Sequence, residues 1–373
     1  MKFYRLLILL GIMNANAQEK YNLIVGTYTN QCESKGIYVY DFDAATAETK
    51  LKDNTKGVIN PSYLTVSADN SFVYSVNENG GESTVSAFKY DPENGRLKLL
   101  NKKDAKGADP CYIISDEKNV IVANYSGGSI AVFSRNADGS LKDAKQVVNH
   151  TGSSVTERQK SPHVHMVCFS PDRRYVLAND LGTDKVYVYK YNPDGGAQTL
   201  VLKEAKDVKK GSGPRHLAFN PNGIFMYLLH ELDATLTAFS YNAGNLTAIQ
   251  ETTVAPTDRV VQNGAADIHI TKSGRFLYAT NRGNANNITV FRVHANGKLD
   301  MVQQISTMGE APRNFTIDPT GNYVLVANQN SNNIVIFKRD KVTGILQDTG
   351  KKIEVCQPVC LVFTDNKPIR EKK

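Results

Sequence analysis

One phrase recurs six times along this chain, at intervals of about fifty residues. A short apolar run, usually opened by Pro, passes through a polar turn into a second apolar run that ends in Asn or, once, His. A loop and a third run follow. The copies begin at Pro61, Pro110, Pro162, Pro214, Ala265 and Pro312; two of them read PRHLAFNPNGIFMYLLHE and PRNFTIDPTGNYVLVANQ. A repeat of this period built from short strands specifies an all-β propeller. One repeat cannot bury both faces of its own sheet, whereas stacked neighbours bury them together, so the closed ring is the folding unit.

The fourth copy serves as a template. Arg215 to Asn220 is a first strand, Asn220-Pro221-Asn222-Gly223 a turn, Ile224 to His230 a second strand and Thr235 to Tyr241 a third, with a fourth from Leu246. The chain ends supply the missing pieces of one more blade. Residues 357–363 read as a first strand without a second, and Asn22 to Tyr28 as a second strand without a first, followed by Gly36 to Asp41 and Leu51 to Asn54. The C-terminal strand is therefore expected to join the three N-terminal ones, giving seven blades and leaving no open sheet edge. Two irregular stretches, Asn149 to Ser161 and Ala255 to Gly264, are long enough to be functional loops.

Residues 1–17 read as a secretory signal: Lys2 and Arg5 precede a short apolar run, and Ala15-Asn16-Ala17 fits a cleavage site. The run is too short to span a bilayer. An exported, periplasmic chain with a propeller over 20–364 and a polar basic tail over 365–373 is expected. Of the net charge of +7, Lys2 and Arg5 carry two and the tail carries three, so the body holds only +2. That balance excludes a nucleic-acid partner, which would require basic residues massed on one face. Cys111, Cys168 and Cys360 fall in inner-strand runs and read as small buried hydrophobes. Five cysteines leave at least one unpaired, no zinc spacing is present, and no disulfide is assigned, although an exported chain could hold one.

The repeats also align the chain against itself, so that a site shows where one copy departs from the others. First-strand starts and second-strand ends open on one face of a propeller and converge on a central funnel. The starts carry Tyr63, Tyr112, His165, Arg215, Ala266 and Arg313 in approximate register, with His163 two residues before His165. His216 and Asp267 match each other. The second-strand ends repeat Asn, which reads as structural; beside it lies a variable slot holding Glu78, Tyr125, Asp180, Glu231, Arg282 and Gln329. The funnel is thus expected to gather His163, His165, Arg215, His216, Glu231, Asp267, His269, Arg282 and Arg313. Taken singly, His216 and His269 read as satisfied strand histidines, and Arg313 as a partner for Asp267. As a set they suit an anionic, oxygen-rich ligand: the arginines bind carboxylate or phosphate, and Glu231 with His165 supplies an acid or base. No G-x-S-x-G nucleophile motif occurs, and His163-x-His165 lacks a carboxylate at metal-site spacing, so neither metal nor cofactor is expected.

These residues carry a resemblance. Gly26-Thr27-Tyr28-Thr29, Ser34-Lys35-Gly36-Ile37-Tyr38, Asn124-Tyr125-Ser126-Gly127-Gly128-Ser129, Pro162-His163-Val164-His165, Gly213-Pro214-Arg215-His216, His230-Glu231-Leu232 and Pro312-Arg313-Asn314-Phe315 are similar to phrases of the seven-bladed propeller lactonases, from about Asn22 to Phe363. That family includes bacterial 6-phosphogluconolactonases and carboxy-cis,cis-muconate lactonizing enzymes. The resemblance implies metal-independent hydrolysis of a sugar lactone. It implies catalytic roles for Glu231, His165 and Arg215, with His163 the alternative to His165. It places Arg282 among the anion-binding positions, and the funnel set adds His163, His216, Asp267 and Arg313 as expected substrate contacts. The implied partner is a small lactone or sugar acid. 6-Phosphogluconolactone is a cytoplasmic metabolite while the leader directs export, which leaves two other readings in play: a non-catalytic periplasmic propeller that binds a sugar acid or a protein, and a muconate-type cyclase.

Overall fold

A computed structural model describes residues 19–369; the signal segment 1–17 lies outside the described residues. Within them, 28 strands form seven four-stranded antiparallel sheets. Six sheets are built from consecutive strands. The seventh joins Lys20–Thr27, Ile37–Asp43 and Thr49–Asn54 to the C-terminal strand Pro358–Asp365, which pairs with Lys20–Thr27 from Tyr21↔Asp365 to Thr27↔Pro358. The expected closure is therefore observed, with strand limits shifted by at most two residues. The template blade runs Pro214–Phe219, Phe225–His230, Thr235–Asn242 and Asn245–Thr253. The first part of the polar tail stays on the ring, because Asn70 Nδ2 donates to the carbonyls of Asp365 and Lys367.

A disulfide reinforces the closure. Cys32, in the loop after the first strand, is bonded to Cys356, just before the last, with Cα atoms 6.1 Å apart across 324 residues of sequence. No spacing rule predicts this pair, since only ring closure brings the two loops together. Cys111 and Cys360 are buried free thiols, as expected of inner-strand positions, and Cys168 is half-buried.

Seven apolar clusters fill the wedges between blades. In one, Tyr227, Leu229 and Leu236 meet Ile268, Leu277, Ala279 and Phe291 of the next blade, all nearly or wholly excluded from solvent. Burying one such large side chain stabilises the ring by about 1.5–3 kcal/mol. Three of the wedges share a polar lock. Tyr74, Tyr227 and Tyr278 donate to the carbonyls of Gly139, Gly297 and Gly344 in the following blade. At Gly297 (φ +81°) a Cβ would lie 2.4 Å from the Phe225 ring, so only glycine allows the contact.

The inner strands share one irregularity that aims the site. In five of the seven, one residue near the start has no partner across the ladder: Cys111, between Pro110↔Asn124 and Tyr112↔Ala123; His165; Arg215; Arg313; and Val359 in the shared blade. In the blade starting at Ala265 the break spans Ala266 and Asp267. A bulge interrupts the two-residue alternation and turns the extra side chain toward the axis. The residue before the Pro is often left-handed, with φ of 51° at Asp109 and 56° at Ala311, where a side chain makes it strained, and 66° at Gly213, where it does not.

Candidate active site

The bulges correct the register of the alignment. Cys111, not Tyr112, is the counterpart of His165, Arg215 and Arg313; Tyr112 instead shares a layer with Met166, His216 and Asn314. His163 does not share a side with His165, because it precedes the strand Val164–Phe169 and the bulge separates them. Its ring stacks on Tyr125 (centroids 4.6 Å apart), and its Nδ1 donates to the Tyr125 carbonyl at 3.1 Å.

A second repeated bond positions the variable slot. The backbone N–H after each second-strand end reaches back to the carbonyl just before the inner strand: Glu78 to Asn60, Tyr125 to Asp109, Glu231 to Gly213, Arg282 to Gly264 and Gln329 to Ala311. The Asn beside it holds the same corner, as where Asn124 Nδ2 donates to Ala105 and Asn328 Nδ2 to Thr307. Four slot residues (Glu78, Tyr125, Glu231 and Arg282) line a central cavity of about 420 Å³ together with His165, Arg313 and Arg158. That volume lies within the ~300–1,000 Å³ of small-ligand sites.

Glu231 is the hub. Its Oε1 accepts from Arg158 Nη1 at 2.8 Å; its Oε2 accepts from Arg215 Nε at 2.9 Å and pairs with Arg282 Nη2 at 3.0 Å. Arg282 Nε also donates to the Gly264 carbonyl, and Arg215 Nη1 to that of Ala266. Arg215 is 1% exposed and lies behind Glu231 without reaching the cavity. Burial alone would raise the Glu231 carboxyl, but Arg282, Arg215 and Arg158 outweigh it and hold the group at about 2. Three guanidiniums around one carboxylate leave the hub itself with two positive charges in excess, in a cavity that Glu78 and Asp109 also line. Burial, then its cationic neighbours, lowers Arg282 against the pull of Glu231. Such a cluster gains from an incoming anion.

Across the cavity Arg313 lies over the Tyr28 ring, 5.4 Å from its centroid, and Tyr28 donates to Glu78 at 2.8 Å. Arg313 does not pair with Asp267. Asp267 instead accepts from His216 Nδ1 (2.8 Å), His269 Nε2 (3.0 Å) and Asn314 Nδ2 (2.6 Å). His216, Asp267 and His269 belong to a second cavity, of about 430 Å³, which they line with Tyr112, Met166 and the turn residues Asn220 and Pro221. That turn leaves the inner strand at the end opposite its start. The gathered set is thus two layers: Glu231, His165, Arg282 and Arg313 open on the funnel, while His216, Asp267 and His269 lie beneath.

Comparison with known proteins agrees with this architecture. The family model described as lactonase, 7-bladed beta-propeller, matches residues 22–363. The chain belongs to the seven-bladed propeller lactonases. It is 38% identical to a 6-phosphogluconolactonase of Bacillus subtilis over 92% of this chain and 98% of that protein. Among solved structures it is similar to a provisional 6-phosphogluconolactonase of Bacteroides fragilis (45% identity, TM-score 0.90, covering 94% and 99% of the two chains). It is similar also to a periplasmic gluconolactonase of Pseudomonas aeruginosa (38%, 0.89, 92% and 99%).

In this propeller lactonase, sequence reasoning marked the loop 149–161 but did not place its Arg158, or Tyr28, in the site. Arg158 sits on that non-repeated loop, where self-alignment has nothing to compare, and it bridges Glu231 and the Tyr125 hydroxyl (2.9 Å) with its side chain 54% exposed. The loop is pinned below it: His150 is bonded to Asp180 and Tyr189, and Ser154 donates to Asp184. Tyr28 reaches the cavity from the shared blade. No helix among the described residues is long and apolar enough to cross a membrane.

Proposed function

We propose that this lactonase is an exported, metal-independent hydrolase of a sugar lactone of the gluconolactone type. The observation that carries the reading is the Glu231 hub, with two positive charges left over beside the buried His165. Lactone hydrolysis builds negative charge on the carbonyl oxygen, then yields a carboxylate. Fixed guanidiniums in a partly dry cavity stabilise both without reorganising. Arg282 and Arg158 face the carbonyl and the new carboxylate. Arg313 receives the distal end of the substrate, a phosphate where one is present. Arg215 positions Glu231 from behind.

His165 is the proton acceptor for the attacking water. Glu231 serves less well, because both its oxygens already receive guanidinium bonds. Burial and the surrounding Arg215, His216, Arg313 and Arg282 hold His165 well below the usual imidazole range, so it is neutral at pH 7. Its proton goes next to the leaving ring oxygen. The leader over 1–17 and the similarity to a periplasmic gluconolactonase support export. The test is hydrolysis of glucono-δ-lactone and its 6-phosphate by chelator-treated protein, corrected for spontaneous opening. Turnover unaffected by chelator is expected. No rate above the blank on either lactone would overturn the reading in favour of a binding protein.

A further inference from the structure

Beneath the candidate active site, the His165 ring meets a second imidazole that does not reach the funnel cavity. The rings of His165 and His216 lie 5.2 Å apart, centroid to centroid, with their planes at 70°. His216 is 3% exposed and is flanked edge-on by Tyr112 at 5.2 Å and Tyr63 at 6.2 Å. Its Nδ1 lies 2.8 Å from Asp267 Oδ1. Asp267 is 2% exposed. Besides His216, it accepts from His269 Nε2, Asn314 Nδ2 and the backbone N–H groups of Ile268 and Phe315. A carboxylate receiving that many donors is ionised and can only accept.

A tautomer follows by elimination. With Asp267 ionised, the His216 proton sits on Nδ1, and Nε2 of the neutral ring carries a lone pair. That Nε2 is buried and has no hydrogen-bond partner; the Nδ1 of His165, on a ring whose centroid lies 5.2 Å from that of His216, has none either. A buried polar atom left unpaired is costly. The other groups that act on His165 are Arg215, Arg282 and Arg313, which only donate, and Tyr125, whose ring lies edge-on to it at 5.4 Å while its hydroxyl bonds Arg158 instead. The acceptor suited to a His165 Nδ1 hydrogen is therefore His216 Nε2, met directly after a small ring rotation or through one water.

We propose that Asp267 and His216 form a positioning chain that holds His165 in its Nδ1–H tautomer and leaves its Nε2 lone pair for the lactone cavity. The inference rests on the reading of His165 as proton acceptor. In the reaction, His165 Nε2 takes a proton from water as the water oxygen bonds the carbonyl carbon. The resulting imidazolium donates through Nδ1 toward His216 and the Asp267 charge. The Nε2 proton then passes to the ring oxygen as the acyl C–O bond breaks. Asp267 and His216 gain and lose no proton; they fix orientation and compensate charge, as a buried carboxylate does for a catalytic imidazole elsewhere.

The experiment is nitrogen-15 NMR of the histidine side chains at neutral pH in the wild type and Asp267→Asn, with the pH dependence of kcat and KM for each. Expected are a wild-type His165 signal of the Nδ1–H form and a shift toward the Nε2–H form in Asp267→Asn. With it, kcat should fall roughly 10–100-fold at nearly constant KM, and the acid limb of kcat should move to lower pH. An Nε2–H His165 in the wild type overturns the proposal, and so does a folded Asp267→Asn protein with unchanged tautomer and kcat. If Asp267→Asn does not fold, the wild-type tautomer together with that of His216→Gln decides. The NMR result stands whether or not lactone turnover is found, so a failed tautomer and a failed lactonase assignment are distinguishable.

Discussion

Replacing Glu231 with Gln keeps the shape of the hub and removes its charge. The magnitude follows from how firmly the charge is held. Moving a carboxyl from its ordinary 4.5 to about 2 corresponds to roughly 3 kcal/mol of preference for the ionised form in the folded protein. The sign is that of a depressed acid: this stabilisation is complete above about 4.5 and is lost as pH falls toward 2. At pH 7 the Gln variant lacks it and leaves Arg158, Arg215 and Arg282 repelling one another. Its melting temperature should fall by roughly 4–8 °C. An added sugar acid or phosphate should then stabilise the variant more than the wild type, since the anion now supplies the missing counter-charge. At a hundredfold excess over Kd that rescue is about 2.7 kcal/mol. Turnover should fall at least ~100-fold, because the guanidiniums lose their fixed geometry. The assay is thermal unfolding with and without anion, paired with lactone kinetics. A variant as stable as wild type, with equal anion stabilisation and intact turnover, would refute the hub.

Other expectations follow from individual groups. Arg158→Gln removes a half-exposed cation from the mouth, so KM should rise about tenfold with a smaller change in kcat and little change in stability, measured by steady-state kinetics and melting. Burial holds His216 and His230 neutral, with both pushed down to about 4; stability should be full above about 6.5 and decline as pH falls toward 4, by roughly 3 kcal/mol per histidine, as read from urea unfolding at several pH values. Cys32→Ser with Cys356→Ser should cost about 2–5 kcal/mol while leaving kcat nearly unchanged, because the disulfide holds the shared blade and does not line the cavity.

Much of the ring was legible because the repeat states it. Each copy carries the apolar runs, the Gly or Asn turn and the terminal Asn that a blade requires, and the split copy at the two chain ends implies the closure. The slot beside that Asn also pointed to Glu78, Tyr125, Glu231 and Arg282 before any geometry was known. The inner-strand bulges were not legible. One unpaired residue per strand leaves no mark on hydropathy, yet it shifts every later side chain to the other face. That shift set Tyr112 against His165 in the alignment, where Cys111 belongs, and put His163 in the funnel, where it instead stacks on Tyr125. Arg158 and the Cys32–Cys356 pair depend on loops outside the repeat. Self-comparison cannot reach them, and only the closed ring brings them to their partners.

The central claim is that His165 accepts the proton of water while the Glu231-held guanidiniums bind the developing anion. Steady-state hydrolysis of glucono-δ-lactone by wild type and His165→Asn, alongside calorimetric binding of the product acid, tests it most directly. A kcat loss of about 10²–10⁴-fold is expected, with product affinity within a few-fold of wild type. Unchanged turnover in His165→Asn, or a loss of binding as large as the loss of rate, would contradict it.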